Sequence, residues 1–357
     1  MSGQQPVARD GATETSDAEG TPAQEGFSMP PEWAPHAGCL MQWPTRRELW
    51  RDRFDDAKRD HAIIARAIAD FEPLTVICGA DDAGEVRGAC GGGIQILESP
   101  IDDSWVRDNG PIFVRDGAGR LAVVDFGFNA WGERWHPHDG DDAVPRRVAE
   151  HLGMRIFSAP FVLEGGSFFV DGEGTLITTE QCLLDPNRNP TMDRERIERG
   201  LRAFLGVTTI VWLKTGHILD VGPEGTDGHV DGVLQYVAPG HVMLEMPSGS
   251  NGAAHESARV NRDRLASMLD ARGRSFTVSE LDPGDPPTVS YANFYIANGA
   301  VIVPTGGGEA DERALSFIAE LYPGREVVGV PGAALAFGGG GPHCITQQIP
   351  TGDPAPI

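Results

Sequence analysis

Apolar and polar positions follow two recurring patterns along this chain. In the longer pattern, apolar residues recur every three or four positions with polar residues between them, as in amphipathic helices. Several of these stretches end at a glycine, which is a common helix stop. The pattern predicts helices in RFDDAKRDHAIIARAIADF, DAVPRRVAEHLG, DRERIERGLRAFLG, HESARVNRDRLASMLDARG and DERALSFIAELYPG.

The shorter pattern is a run of β-branched and apolar residues that follows each helical stretch. The runs are PLTVICG, MRIFSAPF, TTIVWLK, SFTVSEL and EVVGVP. After a loop, two more short strands usually come, joined by a turn of Gly with Asp, Asn or Pro. The sequence therefore predicts hairpins in GPIFVRDGAGRLAVVDF, SFFVDGEGTLITTE, GVLQYVAPGHVMLEM and NFYIANGAVIVPT.

A polar residue stands at the junction between loop and hairpin in each unit, about 50 to 65 residues after the previous one. The five junction residues are Asp108, Glu164, His229, Asn293 and Cys344. Five like units with polar residues at matching places predict a closed ring whose junctions face a common axis. The fifth unit lacks a complete hairpin, and we expect the strand GCLMQWP near the N-terminus to complete it.

The predicted architecture is therefore a single α/β domain over residues 29–357, a five-bladed α/β propeller with fivefold pseudosymmetry. A doubly wound open sheet also alternates helix and strand, but it does not need the repeated hairpins. Residues 1–28 are rich in small and polar residues and hold one aromatic side chain, Phe27. We expect this segment to be a disordered tail.

The formal net charge of −23 narrows the range of partners. Such a chain repels phosphate backbones and attracts small cations, so we expect no nucleic-acid partner. An acidic surface also serves solubility alone. There is no basic-then-apolar leader and no apolar run near the roughly 20 residues of a membrane helix. A cytoplasmic protein without membrane contact is the expectation.

The five cysteines are widely spaced and form no CxxC pair, so neither a zinc site nor a disulfide framework is indicated. Cys344 differs from the others because it follows the glycine loop GGGGPH. Such a loop can bring the next side chain into a tight place. Taken alone, Cys344 is either a nucleophile aimed at a substrate or a small buried residue before a last strand.

The joint position of the junction residues favours a shared site. Cys344 would meet Asp108, Glu164, His229 and Asp231 there. His229 and Asp231 are two apart in GHVDG, so both point the same way if the segment is extended. The pair would then offer an imidazole for proton transfer and a carboxylate for cation binding to one substrate.

Trp105 precedes Asp108 by three residues, so one helical turn places both on one side. An aromatic face beside a carboxylate suits a planar cation such as a guanidinium. Arg107 is expected to point away from Asp108 and to form a structural ion pair. Simpler interpretations remain open, with Asp108 as a cap, His229 as a structural histidine and Glu164 as the start of a turn.

Two further stretches contain histidine. WHPHDGDD could bind a metal through His136, His138 and Asp139, but its composition favours a mobile surface or lid loop. TGHILD, with His217 and Asp220, is interpreted as part of the loop that carries His229.

His343 adjoins Cys344 and is expected to face the opposite side if the segment is extended. The chain has no phosphate-binding glycine fingerprint, because neither glycine run is followed by Lys and then Ser or Thr.

Together these stretches resemble the agmatine deiminase family, also called the bacterial-type peptidyl-arginine deiminase family. This family belongs to the guanidine-modifying enzymes with the pentein fold. The matching stretches run from about Met29 to Pro350 and are MPPEWAPHAGCLMQWP, DDSWVRDNGPIFV, LEGGSFFVDGEGTLITTE, TDGHVDG, YANFYIANGAVIVP and HCITQQIP.

The resemblance implies roles for the matching positions. Cys344 would be the nucleophile and His229 the general acid and base, with Glu164 beside it. Asp108 and Asp231 would hold the guanidinium. Two more residues are assigned to substrate binding: Trp105, which lines the pocket, and Gly341 in the glycine loop.

The implied reaction is hydrolysis of agmatine to N-carbamoylputrescine and ammonia through a thiouronium on the cysteine, within putrescine biosynthesis. It needs no metal or organic cofactor. The alternatives are deimination of another guanidine (arginine, peptidyl arginine or a guanidino natural product), amidino transfer to an amine, and guanidine binding without catalysis. The chain departs from the family at Gly341–Pro342 and at EMPSGSNGAAHE, which leaves the contacts to the substrate tail open. Assembly into a homo-oligomer is left open as well.

Overall fold

A computed structural model describes residues 20–218, 220, 225–248, 252–284 and 287–356 of the chain. Within these residues the strands are β1 (Phe27–Ser28), β2 (His36–Gln42), β3 (Leu74–Cys78), β4 (Gln95–Glu98), β5 (Ile112–Asp116), β6 (Arg120–Gly127), β7 (Ile156–Val162), β8 (Phe168–Val170), β9 (Thr175–Thr179), β10 (Thr209–Leu213), β11 (Leu234–Ala238), β12 (His241–Glu245), β13 (Thr277–Leu281), β14 (Tyr295–Ala297), β15 (Ala300–Thr305), β16 (Glu326–Pro331), β17 (Thr346–Pro350) and β18 (Asp353–Pro354). The helices are α1 (Arg47–Trp50), α2 (Phe54–Ala69), α3 (Ala83–Cys90), α4 (Val106–Asn109), α5 (Ala130–Glu133), α6 (Asp139–Asp142), α7 (Val144–Leu152), α8 (Glu180–Leu183), α9 (Arg194–Leu205), α10 (Gly252–Ser267), α11 (Glu309–Leu321) and α12 (Ala333–Phe337).

One three-stranded unit recurs through the sheets. An antiparallel hairpin is followed by a third strand that pairs in parallel with the second strand of the hairpin, as in β5–β6–β7, β8–β9–β10, β11–β12–β13 and β14–β15–β16. The four hairpins predicted from the sequence are confirmed. In the fifth unit β17 pairs antiparallel with β2, and β2 pairs in parallel with β3. The expected pairing of the N-terminal strand is therefore also confirmed.

A helix connects the two parallel strands of each unit, because a parallel pair needs a crossover connection. The connecting helices are α2, α7, α9, α10 and α11, and each coincides with most of one predicted helical stretch. The largest difference is in α10, which ends at Ser267, six residues before the predicted stretch ends. Each helix turns its apolar stripe towards its sheet. In α2, for example, Ile64, Ala65 and Ile68 are buried with β2 and β3 in one apolar cluster. Burial of a side chain such as Ile64 contributes about 1.5–3 kcal/mol.

The expected disordered tail begins to fold earlier than predicted. Residues 20–28 contain a 3₁₀ turn and strand β1, which pairs with β5. Phe27 is 4% exposed and packs edge-on against Phe157, so this aromatic residue anchors the segment. The predicted tail is therefore corrected for residues 20–28, while residues 1–19 lie outside the described part of the chain. Among the described helices, none has the length and apolarity to cross a membrane.

Candidate active site

Short turns at the starts of the hairpins bring the candidate residues together. Helix α4 carries Asp108, and 3₁₀ turns begin directly after Glu164 and His229. A further turn carries Cys344 immediately before β17. At most 5% of each of these residues is exposed, and the same holds for Asp231. Asp108 and His229 are therefore buried together and do not lie on the surface.

Gly166 shows how closely three of these groups converge. An ideal Cβ on this residue would lie 2.7 Å from Asp108 Oδ1, 2.7 Å from His229 Nδ1 and 2.8 Å from Asp231 Oδ2. The backbone N–H of Gly166 also donates a hydrogen bond to Asp108 Oδ1 at 3.1 Å. A residue with a side chain would displace at least one of the three groups, so the close approach requires glycine.

Cys344 presents its thiol to an amide and a carboxylate. Its Sγ lies 3.1 Å from Nδ2 of Asn293 and 3.5 Å from Oδ2 of Asp231. Burial, followed by the carboxylates of Asp231 and Asp108, raises the pKa of the Cys344 thiol well above its usual value. A cation held between these carboxylates would offset their charge and favour the thiolate, which is the nucleophilic form.

Asp231 belongs to a buried chain of charged groups that the sequence did not reveal. Its Oδ2 lies 2.8 Å from His343 Nδ1, and His343 Nε2 lies 2.9 Å from Oε1 of Glu32. Both ring nitrogens face carboxylates, which accept hydrogen bonds only, so the geometry fits an imidazolium. Burial opposes this charge, but Glu32 and Asp231 raise the pKa of His343. His343 in turn helps to hold the pKa of Asp231 below its usual value against the effect of burial.

The expected orientation of His343, away from the side of Cys344, is wrong. The expectation assumed an extended segment, whereas residues 342–345 form a turn. The backbone N–H of Thr346 donates to the carbonyl oxygen of His343 at 3.2 Å within this turn. As a result, His343 and Cys344 both reach the same carboxylate oxygen of Asp231.

Arg107 lies behind this chain. Its Nη1 donates to Glu32 Oε1 at 3.0 Å, and its Nε donates to the carbonyl oxygen of His343 at 3.3 Å. The side chain is 1% exposed. The prediction that Arg107 forms a structural ion pair instead of facing Asp108 is confirmed.

His229 lies between two carboxylates. Its Nδ1 is 3.7 Å from Asp108 Oδ1, and its Nε2 is 3.8 Å from Glu164 Oε2. Among the described residues, neither ring nitrogen has a partner at hydrogen-bond distance. Burial works to lower the pKa of His229, yet the charge of Asp108 and the contacts of Cys182 and Glu164 raise it well above the usual value. The group is therefore a charged proton donor whose nitrogens are not committed to protein acceptors.

Glu164 is held by Arg188, a residue that the sequence analysis missed. Arg188 Nε donates to Glu164 Oε1 at 2.8 Å, and Arg188 Nη2 donates to the carbonyl oxygen of Thr226 at 2.6 Å. Burial would raise the pKa of Glu164, but Arg188 and then His229 lower it to about 2. Arg188 lies in the turn-rich stretch DPNRNP, where nothing in the local pattern distinguishes it from a surface arginine.

Tryptophans form a wall beside Asp108. Trp131 Nε1 donates to Asp108 Oδ2 at 3.0 Å, while burial raises the pKa of Asp108 to about 6. Trp105 stacks on Trp50 with ring centroids 5.4 Å apart, and its Nε1 donates to Asp103 Oδ2 at 2.9 Å. Trp105 and Asp108 line the same narrow recess. Trp131, 23 residues further along the chain than Asp108, is a second aromatic residue that sequence reasoning missed.

A cavity of about 370 Å³ ends at Cys344. Its lining includes Gly339 and Gly340. An ideal Cβ on Gly341 would be 2.7 Å from Oδ1 of Asn293. Gly340 lies beside the thiol in the cavity, because an ideal Cβ on it would be 2.9 Å from Cys344 Sγ. The backbone of the predicted Gly341 also interacts with Cys344 and works against the rise in the pKa of its thiol. The loop reaches this position through Gly339, whose φ is +98°.

A second, narrower recess meets the cavity at Cys344. It is lined by Trp105, Asp108, Trp131 and Trp135, among others. The carboxylate of Asp108 and the indole rings thus face the recess, while Asp231 and His229 face the wider cavity. A planar cation at the meeting point would touch both carboxylates and the thiol.

Asp220 supports the loop before His229, as expected for the stretch TGHILD. Its Oδ2 accepts hydrogen bonds from the backbone N–H groups of Gly228 at 2.9 Å and His229 at 3.2 Å. Its Oδ1 accepts from the backbone N–H of Thr226 at 2.6 Å. His217 lines the cavity with Asp220. Leu219 and residues 221–224 of this region lie outside the described residues.

Two groups of described residues have the composition of metal ligands. Glu164, Cys182 and His229 hold their ligand atoms within 4.8 Å of one another, but they are fully buried and one carboxylate oxygen is occupied by Arg188. The other group, at the end of α5 and just after it, is partly exposed. The expectation that the reaction needs no metal or organic cofactor stays a prediction.

The arrangement provides three chemical capabilities in one cavity. Two carboxylates and an aromatic wall suit a planar cation, a thiol lies beside one carboxylate, and an uncommitted imidazolium lies beside the other. Such a set can add a thiolate to an electron-poor carbon and protonate a leaving nitrogen.

Comparison with known proteins places this site in context. The family model for Porphyromonas-type peptidyl-arginine deiminase matches residues 28–350. The agmatine deiminase of Pseudomonas putida is 41% identical over 368 residues, which cover 94% of this chain and 98% of that protein. The structure of the agmatine deiminase of Enterococcus faecalis, described as catalysing its reaction, superposes with a TM-score of 0.88. It is 37% identical, and the match covers 94% of this chain and 98% of that one.

A more distant likeness concerns the fold alone. A DDAH of Pseudomonas aeruginosa, in complex with citrulline, is 14% identical and superposes with a TM-score of 0.50. The match covers 88% of this chain and 99% of that chain. The α/β fold of this chain is thus shared with agmatine deiminases and with a pentein-type protein.

Proposed function

Because the chain belongs to the Porphyromonas-type peptidyl-arginine deiminase family, we propose that it hydrolyses agmatine to N-carbamoylputrescine and ammonia. The observation that carries the proposal is the convergence of Cys344, Asp108, Asp231 and His229 at one end of a cavity. The name of the relatives that match over nearly their whole length supports agmatine as the substrate.

Binding would place the guanidinium between Asp108 and Asp231, with its plane against Trp105. Charge-assisted hydrogen bonds to two carboxylates fix both position and orientation of the central carbon. The cation also offsets the two charges that raise the pKa of Cys344. Substrate binding would therefore help to generate the thiolate that attacks the substrate.

In the first half of the reaction, Cys344 Sγ forms a bond to the guanidinium carbon. The C=N electron pair moves to nitrogen and a tetrahedral adduct results. His229 donates its proton to the departing nitrogen, and the C–N bond breaks with release of ammonia. A thiouronium remains on Cys344, and His229 is neutral at this stage.

In the second half, His229 accepts a proton from water as the water oxygen attacks the same carbon. The new tetrahedral adduct collapses, its hydroxyl proton passes through solvent to the released ammonia, the C–S bond breaks, and the ureido product leaves. The thiolate and the imidazolium are regenerated. Glu164 would keep the imidazole ring oriented and favour its protonated form, because the two groups are only 3.8 Å apart.

We extend the proposal to the closure of the fold and to the cellular setting of the reaction. The five units would close into a five-bladed propeller around the site, a proposal supported by the β17–β2 pair, which joins the two ends of the chain. The enzyme would act in the cytoplasm, within putrescine formation, on a small cationic guanidine. It would work without a nucleic-acid or membrane partner. A homo-oligomeric state is compatible with the same site.

The test is product analysis with a panel of agmatine, arginine, an arginine peptide and other guanidines. We expect ammonia and a ureido product in equal amounts, with agmatine as the best substrate. A parallel reaction with added primary amine tests for amidino transfer. Guanidine consumption without ammonia would establish transfer instead, and binding without any product would leave a guanidine-binding protein.

A further inference from the structure

Three side chains, at the end of α5 and just after it, point towards one place. Glu133 Oε2 lies 3.2 Å from His138 Nε2 and 3.7 Å from His136 Nε2. One ligand atom of each residue lies within 4.8 Å of the others. Glu133 and His136 are exposed, so solvent reaches the group, and His138 is half-buried. None of the three belongs to the guanidinium site.

These separations match the spacing that a tetrahedral zinc site requires. With metal–ligand distances of about 2.0–2.1 Å, neighbouring ligand atoms in a tetrahedron lie about 3.3 Å apart. The observed 3.2 and 3.7 Å distances need only small side-chain adjustments. Both histidines present the same nitrogen, Nε2. Two imidazoles and one carboxylate are a donor set that zinc-like ions prefer.

The backbone and the surrounding rings hold the group in place. Glu133 has a φ of +61°, a conformation that residues with a side chain seldom adopt and that often marks a functional constraint. The ring of His138 packs edge-on against Phe128, with centroids 6.4 Å apart. Arg46 Nη1 donates to the carbonyl oxygen of His136 at 3.1 Å. Two of the three ligands are thus anchored before any ion binds.

We propose that Glu133, His136 and His138 form a binding site for a divalent transition-metal ion of the zinc class, with water completing the coordination. The bound ion would link the two ends of the segment 133–138. This segment includes Trp135, and Trp131 lies two residues before it. Both tryptophans line the recess beside Cys344, so the ion would stabilise the aromatic wall of the substrate site.

The test uses the full chain without a histidine tag. Titration with zinc chloride at pH 7.5, followed by calorimetry, should show one site that is lost in the His136→Asn/His138→Asn double variant. We expect the affinity of the double variant for zinc to be at least about tenfold lower, since the loss of an outer-shell partner alone lowers metal affinity by that factor. Binding should weaken at pH 5.5, because protons compete for the imidazoles.

Two controls make the result specific. His151→Asn removes another exposed histidine, on α7, and should leave zinc binding unchanged. The single variant Glu133→Gln, which keeps both imidazoles, should bind zinc more weakly than the wild type. It provides the measurement if the double variant does not fold.

Cobalt(II) provides a second readout, because its absorption distinguishes the donor atoms. We expect tetrahedral d–d bands without a thiolate charge-transfer band in the near ultraviolet. The proposal is overturned if the folded double variant binds zinc as tightly as the wild type. A cobalt spectrum dominated by thiolate would equally overturn it, since the ion would then be bound by a cysteine instead of by these three residues.

Discussion

Oδ2 of Asp231 lies 2.8 Å from His343 Nδ1 and 3.5 Å from Sγ of Cys344, so one oxygen connects an imidazole to the thiol. His343 is fully buried and reaches Glu32 with its other nitrogen. A second imidazole therefore acts on the site through Asp231. We interpret His343 as a positioning residue that keeps Asp231 ionised and oriented towards the substrate.

The first prediction follows from this contact. His343→Asn removes a group that lowers the pKa of Asp231. The pKa of Asp231 should therefore rise, and the carboxylate should become protonated at a higher pH than in the wild type. Asp231 titrates together with Asp108, whose raised pKa sets the acid limb of the kcat/KM profile. We therefore expect that limb to move to higher pH and kcat/KM to fall about tenfold or more. The matched control is His241→Asn, which also loses a side-chain hydrogen bond, to Ser279 between β12 and β13. An unchanged acid limb in a folded His343→Asn enzyme would contradict the positioning role.

The second prediction concerns the nucleophile. Cys344→Ala should abolish turnover while agmatine still binds, because the two carboxylates and the aromatic wall remain. Mass spectrometry of the wild-type protein, denatured shortly after a substrate pulse, should locate an adduct on Cys344. Cys90→Ala, in α3 and equally buried, should stay active. An alanine variant at Cys344 with full activity would eliminate the covalent mechanism.

The third prediction concerns the two carboxylates. Asp108→Asn and Asp231→Asn each keep the shape but remove a charge that pairs with the guanidinium, so we expect kcat/KM to fall about 10²-fold or more for each.

The same carboxylates set the pH dependence of the wild-type enzyme. Its kcat/KM should decrease as pH falls through about 6, because the raised pKa of Asp108 lies there and only the carboxylate binds the cation. It should lose activity again at alkaline pH, where His229 gives up its proton above its raised pKa.

Asp108, Asp231 and His229 titrate as a group, so the measured limbs belong to the coupled set. Asp108→Asn should displace or remove the limb near pH 6. Steady-state kinetics from pH 5 to pH 10 test both points. Two asparagine variants with near-normal kinetics would mean that the cation is held elsewhere.

The fourth prediction uses the glycine at the centre of the site. Gly166→Ala would place a methyl group within 3 Å of Asp108, His229 and Asp231. We expect activity to fall at least about 10²-fold, because small displacements of reacting groups are costly. Gly88→Ala in α3 meets no atom within 4 Å and should instead stabilise the protein by about 0.5–1 kcal/mol. Full activity in Gly166→Ala would show that the three groups need not lie this close for catalysis.

Local patterns were sufficient for much of the fold. Hairpin turns such as Asn298–Gly299 have a short-range signature, and the helices have a clear apolar period, so both were predictable. The pairing of β17 with β2 was predictable only from the repetition, because 300 residues separate the strands. Phe27 was missed as an anchor because one buried ring in a polar stretch leaves no periodic pattern.

The residues of the candidate site also fall into those that the sequence pattern predicted and those that it missed. Junction residues such as Asp108 and Cys344 occupy equivalent places in successive units, so repetition exposed them. Arg188 and Glu32 do not, and each acts through a contact that the fold creates between distant parts of the chain. Such partners become visible only when side-chain geometry is known. Gly340, which lines the cavity, was not predicted beside Gly341, because a run of glycines gives no sign of which member faces the site.

The last prediction concerns the substrate tail, and it rests on the charges around the cavity. Among the described residues that line it, the ionisable side chains are His217, Asp220, His229, Asp231 and Cys344, and there is no lysine or arginine. Arginine would bring a carboxylate into a cavity that offers it no cationic partner, and an unpaired charge is costly to bury. Agmatine lacks that carboxylate, so we expect a higher kcat/KM for agmatine than for arginine.

The measurement compares the kcat/KM of agmatine, arginine, an arginine peptide and ω-guanidino amines of shorter and longer chain under one condition. Phe337, at the rim and 42% exposed, supplies the matched variant, since Phe337→Ala should change the dependence on chain length without changing the order of agmatine and arginine. A clear preference for arginine would contradict the prediction and would require a basic partner for the carboxylate.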